Sequence, residues 1–205
     1  MSINEKAEAV CRHVWSLDGF AVDSSLSETE DHVGAIIVDA ILQSGINYLQ
    51  VVEPRVRRFR EQHPEARTTS GFLDLIAQQD LSELINWRGS VKLERIGNLT
   101  AFFEKEGIET RGDLKSWLLQ FGSSERLKEL KGIGDMTADY LKMLAGIEVC
   151  AADSLTVGFL RDAGVDPSSY EEARDILCRM SRMMDVHPVA LGFTIWRYIA
   201  SRRRK

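Results

Sequence analysis

Two glycines separated by one residue, Gly132-Ile133-Gly134, sit between two stretches of helical periodicity, inside Leu130-Lys-Gly-Ile-Gly-Asp-Met-Thr-Ala138. A turn built this way can take backbone angles closed to other residues, and its main chain can come close to an anion. The N–H groups of Gly134 and of the first turn of the next helix would point at that anion, helped by the helix dipole. The chemistry would be phosphate anchoring, which reads the shape and charge of a nucleic acid and not its base sequence. A plain helix–loop–helix connection closed by glycines is the competing reading. Further along, Asp153 precedes Leu155-Thr-Val157, where an Asp or Ser is an ordinary helix N-cap.

The elements that must position these residues are helical. There are only four prolines among 205 residues, β-branched runs are short, and apolar residues recur at spacings of three and four, which predicts an all-α chain. Ser2 with Glu5 makes a capping-box pattern opening a helix to about Ser16, and Ser27 with Glu30 opens a second toward Gly45. A third, from about Asn47 to Gln62, contains Pro54, which should kink it or break it before Arg55. Further helices are expected at about 70–78, 81–86, 91–106, 112–121, 124–130, 135–145, 154–163, 169–184 and 188–203.

Hydrophobic content of 44% with 28% charged residues fits a globular protein. No apolar run approaches the roughly 20 residues of a membrane span, and the first segment lacks an apolar signal core, so neither membrane insertion nor secretion is expected. The net charge of −5 argues against nonspecific coating of nucleic acid but leaves room for a local basic surface. Cys11, Cys150 and Cys178 are odd in number and widely spaced, without a Cys-x-x-Cys pair, and read as buried thiols.

The hairpin, followed fifteen residues after Ala138 by Asp153, resembles the helix-hairpin-helix DNA glycosylase superfamily, of the endonuclease III kind. Val38-Asp-Ala-Ile-Leu-Gln43 looks like an early helix of the family's adenine glycosylases, with Val51 to Pro64 continuing in their manner. Val91-Lys-Leu-Glu-Arg-Ile96 resembles the family's Ser-Lys-Ala-Glu-Asn-Ile region, and Trp196-Arg-Tyr198 stands where it carries Gly-Arg-Tyr. The resemblance implies two helical lobes with a DNA-binding cleft between them. Residues 29–130 would form the middle lobe, and 1–28 with 131–205 the second, with the hairpin at 130–134 at the junction.

A glycosylase takes the target nucleotide out of the stack and breaks its C1'–N bond through a cation-like sugar. A carboxylate can stabilise that charge and orient or deprotonate water. By resemblance Asp153 takes this role. Asp39 falls opposite a glutamate that protonates purine leaving groups, one methylene longer; a buried helical Asp bonded to a neighbour is the other reading. Where bifunctional members carry a lysine that attacks the sugar, this chain has Met136, whose thioether cannot form an imine. Lys131 replaces a common hairpin proline and suits a phosphate, while Lys142 stands seven residues into the second helix.

DNA contacts are then expected from Lys131, Gly132, Ile133, Gly134, Met136 and Thr137 of the hairpin. Gln43 falls in one DNA-inserting loop of the family and Trp87-Arg88 in the other, where they could fill the gap left by a flipped base; a solvated turn and a core tryptophan compete. Arg55, Arg57, Arg58 and Arg60 read as solvated charges, and Arg202 to Lys205 as a frayed end or a phosphate contact. The family's Val-Asp-Thr-His has become Ala152-Asp-Ser-Leu155, which loosens any inference about substrate.

The expectation is a monofunctional base-excision repair glycosylase, a monomer acting on double-stranded DNA that holds a damaged or mismatched base. It would be cytoplasmic or nucleoid-associated in a bacterium, nuclear in a eukaryote. No cofactor is required on this reading. No cysteine follows Cys178, so the C-terminal iron–sulfur cluster of many relatives is not expected, whereas hairpin carbonyls could hold a monovalent metal ion. The alternatives are a noncatalytic DNA-binding or damage-recognition protein and an all-helical protein-interaction module.

Overall fold

A computed structural model describes residues 1–24 and 31–202. Among them every regular element is helical, in chain order α1 (Ile3–Trp15), α2 (Val33–Leu42), a π-helical turn (Tyr48–Val52), α3 (Glu53–Gln62), a 3-10 turn (Pro64–Arg67), α4 (Thr69–Gln78), α5 (Leu81–Leu84), α6 (Ser90–Lys105), α7 (Arg111–Leu118), α8 (Ser123–Lys128), α9 (Asp135–Leu144), α10 (Ser154–Asp162), α11 (Tyr170–Met183) and α12 (Pro188–Arg202). The all-α expectation holds. No helix among the described residues is long and apolar enough to cross a membrane.

The chain forms two compact units, Glu30–Ala145 and Met1–Thr29 with Gly146–Lys205. The boundary drawn from the sequence at 130 and this one at 145 differ by the hairpin and α9. The inner unit wraps around α2, all ten of whose residues are buried, as expected of a helix that is apolar on every side. Helices α3, α4, α6 and α9 and the 3-10 turn all pack on it. The outer unit pairs α1 with α11 and α12 with α10 and α11. Its core is a single cluster in which Ala7, Val10, Cys11 and Val14 of α1 meet Ala173, Ile176, Leu177 and Met180 of α11.

Local signals explain most boundaries. The Ser2–Glu5 capping box forms, with Glu5 N–H on Ser2 Oγ at 3.3 Å and Ser2 N–H on Glu5 Oε2 at 2.7 Å. The Ser27–Glu30 pattern lies outside the described residues. Pro54 stands in the first turn of α3, a position that suits its fixed φ. The winding before it is π-helical, so the single helix expected from Asn47 to Gln62 divides at Glu53.

Helix α2 is capped by a histidine. His32 Nδ1 accepts the Ala35 N–H at 3.1 Å and Nε2 lies 3.0 Å from His63 O. Because a carbonyl can only accept, Nε2 carries the proton and the ring is neutral. Burial holds its pKa below the ordinary 6.5, with the Arg67 and Arg60 cations adding to the shift. The unfolded chain therefore takes up the proton more readily than the native one. Stability from this cap is fully present above pH 6.5 and is lost as pH falls through the depressed native value. The urea midpoint should drop between about pH 8 and about pH 5.5. His32→Asn, which keeps an acceptor for Ala35 and cannot titrate, should show a smaller drop.

Candidate nucleic-acid interface

The hairpin lies in the inner unit between α8 and α9. Leu130 N–H bonds Leu127 O and Ile133 N–H bonds Leu130 O, each at 3.0 Å, which turns the chain tightly after α8. Gly132 has φ +90° and needs its glycine. Gly134, the N-cap of α9, sits at φ −114°, ψ −174°, an extended conformation open to any residue. A Cβ there would also meet no neighbour, since nothing lies within 4 Å of where it would stand. Gly134 offers the first turn of α9 no capping side chain.

The hairpin residues divide by burial. Lys131, Gly132 and Gly134 are exposed and Met136 is half-buried, whereas Ile133 and Thr137 are buried and can meet a phosphate only through their main chain. Gln43 is buried at the end of α2, and its amide donates to Met136 Sδ at 3.4 Å, bringing the two together beside the hairpin. Asp135 would repel a phosphate, but Lys128 Nζ pairs with it at 2.8 Å. Lys142 pairs with buried Asp139 at 3.0 Å. Arg88 is exposed, and half-buried Trp87 lies with its ring centroid 5.9 Å from the Arg55 guanidinium carbon. Arg55 also bonds Asn86 O at 3.0 Å, so this loop is held by α3.

Sequence reasoning missed two cations of α6. A Cβ on Gly132 would stand 2.2 Å from Cζ of Arg95, so the guanidinium fills the space beside the hairpin glycine. Arg95 Nε is buried without a hydrogen-bond partner among the described residues. One turn earlier, Lys92 Nζ donates to Ile41 O, Leu42 O and Ser44 O at 2.8, 2.9 and 2.9 Å, closing the end of α2. Burial, with Arg95 nearby, brings the Lys92 pKa down to about 8, against three carbonyls that favour the proton. The signal was available as two cations three apart on one helix face, inside a segment read only for its family likeness.

Asp39 is 6% exposed and takes the Tyr140 hydroxyl on Oδ1 and the Tyr48 hydroxyl on Oδ2, each at 3.0 Å. Burial pushes its pKa up to about 7, and Glu53 adds to the rise; the two hydroxyls pull the other way. Burial likewise raises both tyrosines.

Asp153 belongs to the outer unit and caps α10. Its Oδ1 accepts Thr156 N–H at 2.8 Å, Thr156 Oγ1–H at 2.6 Å and Trp196 Nε1–H at 3.1 Å. Trp196 Nε1 also lies 3.1 Å from Thr156 Oγ1, so buried Thr156 and Trp196 fix one another as well as the acid. Asp153 is only half-buried, and all three donors use the same oxygen. Arg202 stacks on Tyr198, 4.6 Å from the ring centroid; residues 203–205 lie outside the described residues. Among the described residues no group of three or more His, Cys, Asp or Glu could hold a metal ion.

The chain is thus an all-helical protein of two compact units, one presenting a glycine hairpin and the other a capping carboxylate. Residues 6–200 match the family described as "Domain of unknown function (DUF8548)", and the chain belongs to it. No curated protein and no solved structure matches the chain.

The two glycines should respond differently to alanine. Gly132→Ala meets both a positive φ and the Arg95 guanidinium, and should lower unfolding free energy by about 1–3 kcal/mol. Gly134→Ala should cost less than about 0.5 kcal/mol. At Asp39, a native pKa raised above the unfolded 3.8 means the native chain binds the extra proton between 3.8 and about 7, and stability from this group falls as pH rises through that window. Asp39→Asn should flatten that part of a calorimetric pH profile; an unchanged profile would show that this carboxyl titrates normally.

Proposed function

We propose that this protein is a monofunctional DNA glycosylase, hydrolysing the N-glycosidic bond of a damaged or mismatched base in double-stranded DNA. The two units correspond on this reading to the two lobes of the helix-hairpin-helix glycosylase fold. The observation that carries it is the state of Asp153: three donors pin Oδ1, which fixes the orientation of a half-buried carboxylate and engages only one of its two oxygens. An oriented carboxylate can stabilise a cation-like sugar and direct a water at C1'.

The hairpin serves binding. The amides at the start of α9, exposed Lys131 and the Arg95 guanidinium laid along Gly132 offer a phosphate a positive seat on an otherwise acidic protein. Hairpin carbonyls retain lone pairs even where they accept a backbone N–H, as Leu130 O does. A monovalent cation held there would add positive charge for the same phosphate. Met136 supplies no amine, so base release proceeds by water and not through an imine. Asp39, with both oxygens engaged by tyrosines, organises the inner unit and stays outside the reaction.

A second reading is a noncatalytic DNA-binding or damage-recognition protein, favoured by Met136 and by how fully Asp153 is used as an N-cap. A panel of duplexes containing uracil, hypoxanthine, alkylated purines and oxidised bases separates the two. The native protein should release at least one base, and Asp153→Asn should slow release by at least about 100-fold. Asparagine keeps an acceptor at the cap, so stability and duplex binding should change little. Borohydride should trap no protein–DNA adduct. Structure-specific binding with no base release, unchanged by Asp153→Asn, selects the second reading.

A further inference from the structure

The four arginines of α3 face different surroundings. The Arg60 cation acts on His32 and Asp39, and Arg57 is exposed. Arg55 and Arg58, three residues apart and so on one helix face, line a cavity of about 170 Å³ with Pro54, Leu84, Ile85 and Asn86. No carboxylate belongs to its wall. On a protein of net charge −5, a concave place whose charged groups are all cations calls for an anion.

The donors around it are held in place and only partly used. Arg55 Nη1 donates to Val51 O at 2.7 Å and Nε to Asn86 O at 3.0 Å, while the Trp87 ring centroid lies 5.9 Å from its guanidinium carbon. Its Nη2 has no hydrogen-bond partner among the described residues. Arg58 spends only Nε, on Gln62 Oε1 at 3.1 Å, and neither arginine pairs with a carboxylate among the described residues. Asn86 has φ +49°, and its carbonyl holds Arg55 while its side-chain amide takes no partner among those residues. Buried Leu84 and Ile85 add an apolar wall. The space suits a tetrahedral oxyanion and falls short of the roughly 300 Å³ at which small-molecule sites begin.

We propose that Arg55, Arg58 and Asn86 seat a backbone phosphate of nucleic acid, as a second anchor of the inner unit besides the hairpin. The guanidinium groups offer phosphate oxygens charged N–H donors in a fixed fork, and the amide adds a neutral one. The source of the phosphate follows from the neighbours. Half-buried Trp87 and exposed Arg88 continue the loop from Asn86, so an aromatic ring and a further cation stand next to the seat, as on surfaces that track a nucleic-acid strand. Such a contact adds affinity without sequence preference. The inference rests on the reading of this chain as a DNA-binding protein and not on chemistry at Asp153.

The test is binding of a lesion-free duplex by the full chain, followed by fluorescence anisotropy over a salt series. Arg58→Gln should lower the slope of log affinity against log salt by about 0.9, the share of one phosphate, and equally on unrelated sequences. Arg57→Gln removes the same charge from the same helix outside the cavity, and should leave the slope unchanged. Asn86→Gly keeps the carbonyl that holds Arg55 and accepts the positive φ, and should weaken binding at every salt concentration. Equal slope changes in Arg57→Gln and Arg58→Gln, or none in Arg58→Gln, would overturn the proposal while leaving DNA binding standing. A native protein that binds no duplex at any salt concentration overturns both. In nuclear magnetic resonance spectra, the duplex should shift the Asn86 side-chain amide and the Arg58 Nε–H. Shifts produced by inorganic phosphate or a phosphoserine peptide, and not by the duplex, would overturn nucleic acid as the source.

Discussion

The inner unit is organised by the complete burial of α2. A helix with no face toward water must have each of its polar groups answered by protein, and α2 presents three such demands. Its first-turn amide is met by His32, its one carboxyl by two tyrosines, and its last carbonyls by the ammonium of Lys92. These partners come from the preceding turn, the π-helical turn, α9 and α6. Satisfying one helix therefore fixes the positions of three others, and α9 brings the hairpin with it.

The position of the hairpin is thus a result of packing. Tyr140, on α9, is fully buried against Asp39, and Met136, one turn earlier, meets Gln43, one turn further along α2. Between them they fix the start of α9, where the uncapped amides lie. Arg95, one turn after Lys92 on α6, reaches Gly132 from the other side. A buried carboxyl and an arginine laid along the hairpin glycine are thus two results of the same arrangement. Asp153 depends on none of this, being held within its own unit by Thr156 and Trp196.

The sequence was most legible where the signal is local. Capping residues and three-to-four periodicity located nearly every helix, and Pro54 marked a real change of winding. A second capping box, Thr110 with Asp113, carries the same kind of signal. The need for Gly132 could be read from its place in the turn, but not that Gly134 stands in an extended conformation open to any residue. The Tyr48–Asp39–Tyr140 group and Lys92 on the end of α2 were hidden because each joins residues far apart in the chain. Their chemistry exists only after packing brings them together. Asp153 shows the opposite limit: its capping role was plain from its neighbours, yet the same carboxylate is a chemical candidate.

The pairing of α1 with α11 has a consequence for how the protein is made. The inner unit is one continuous stretch and can fold as it leaves the ribosome, whereas α1 precedes it and finds its partner only after it. Until α11 emerges, the apolar stripe of Ala7, Val10, Cys11 and Val14 lacks the helix that covers it in the folded protein. A helix made before the inner unit is buried only after it, and the interval in which its apolar face is open to aggregation is set by the time needed to translate the whole inner unit.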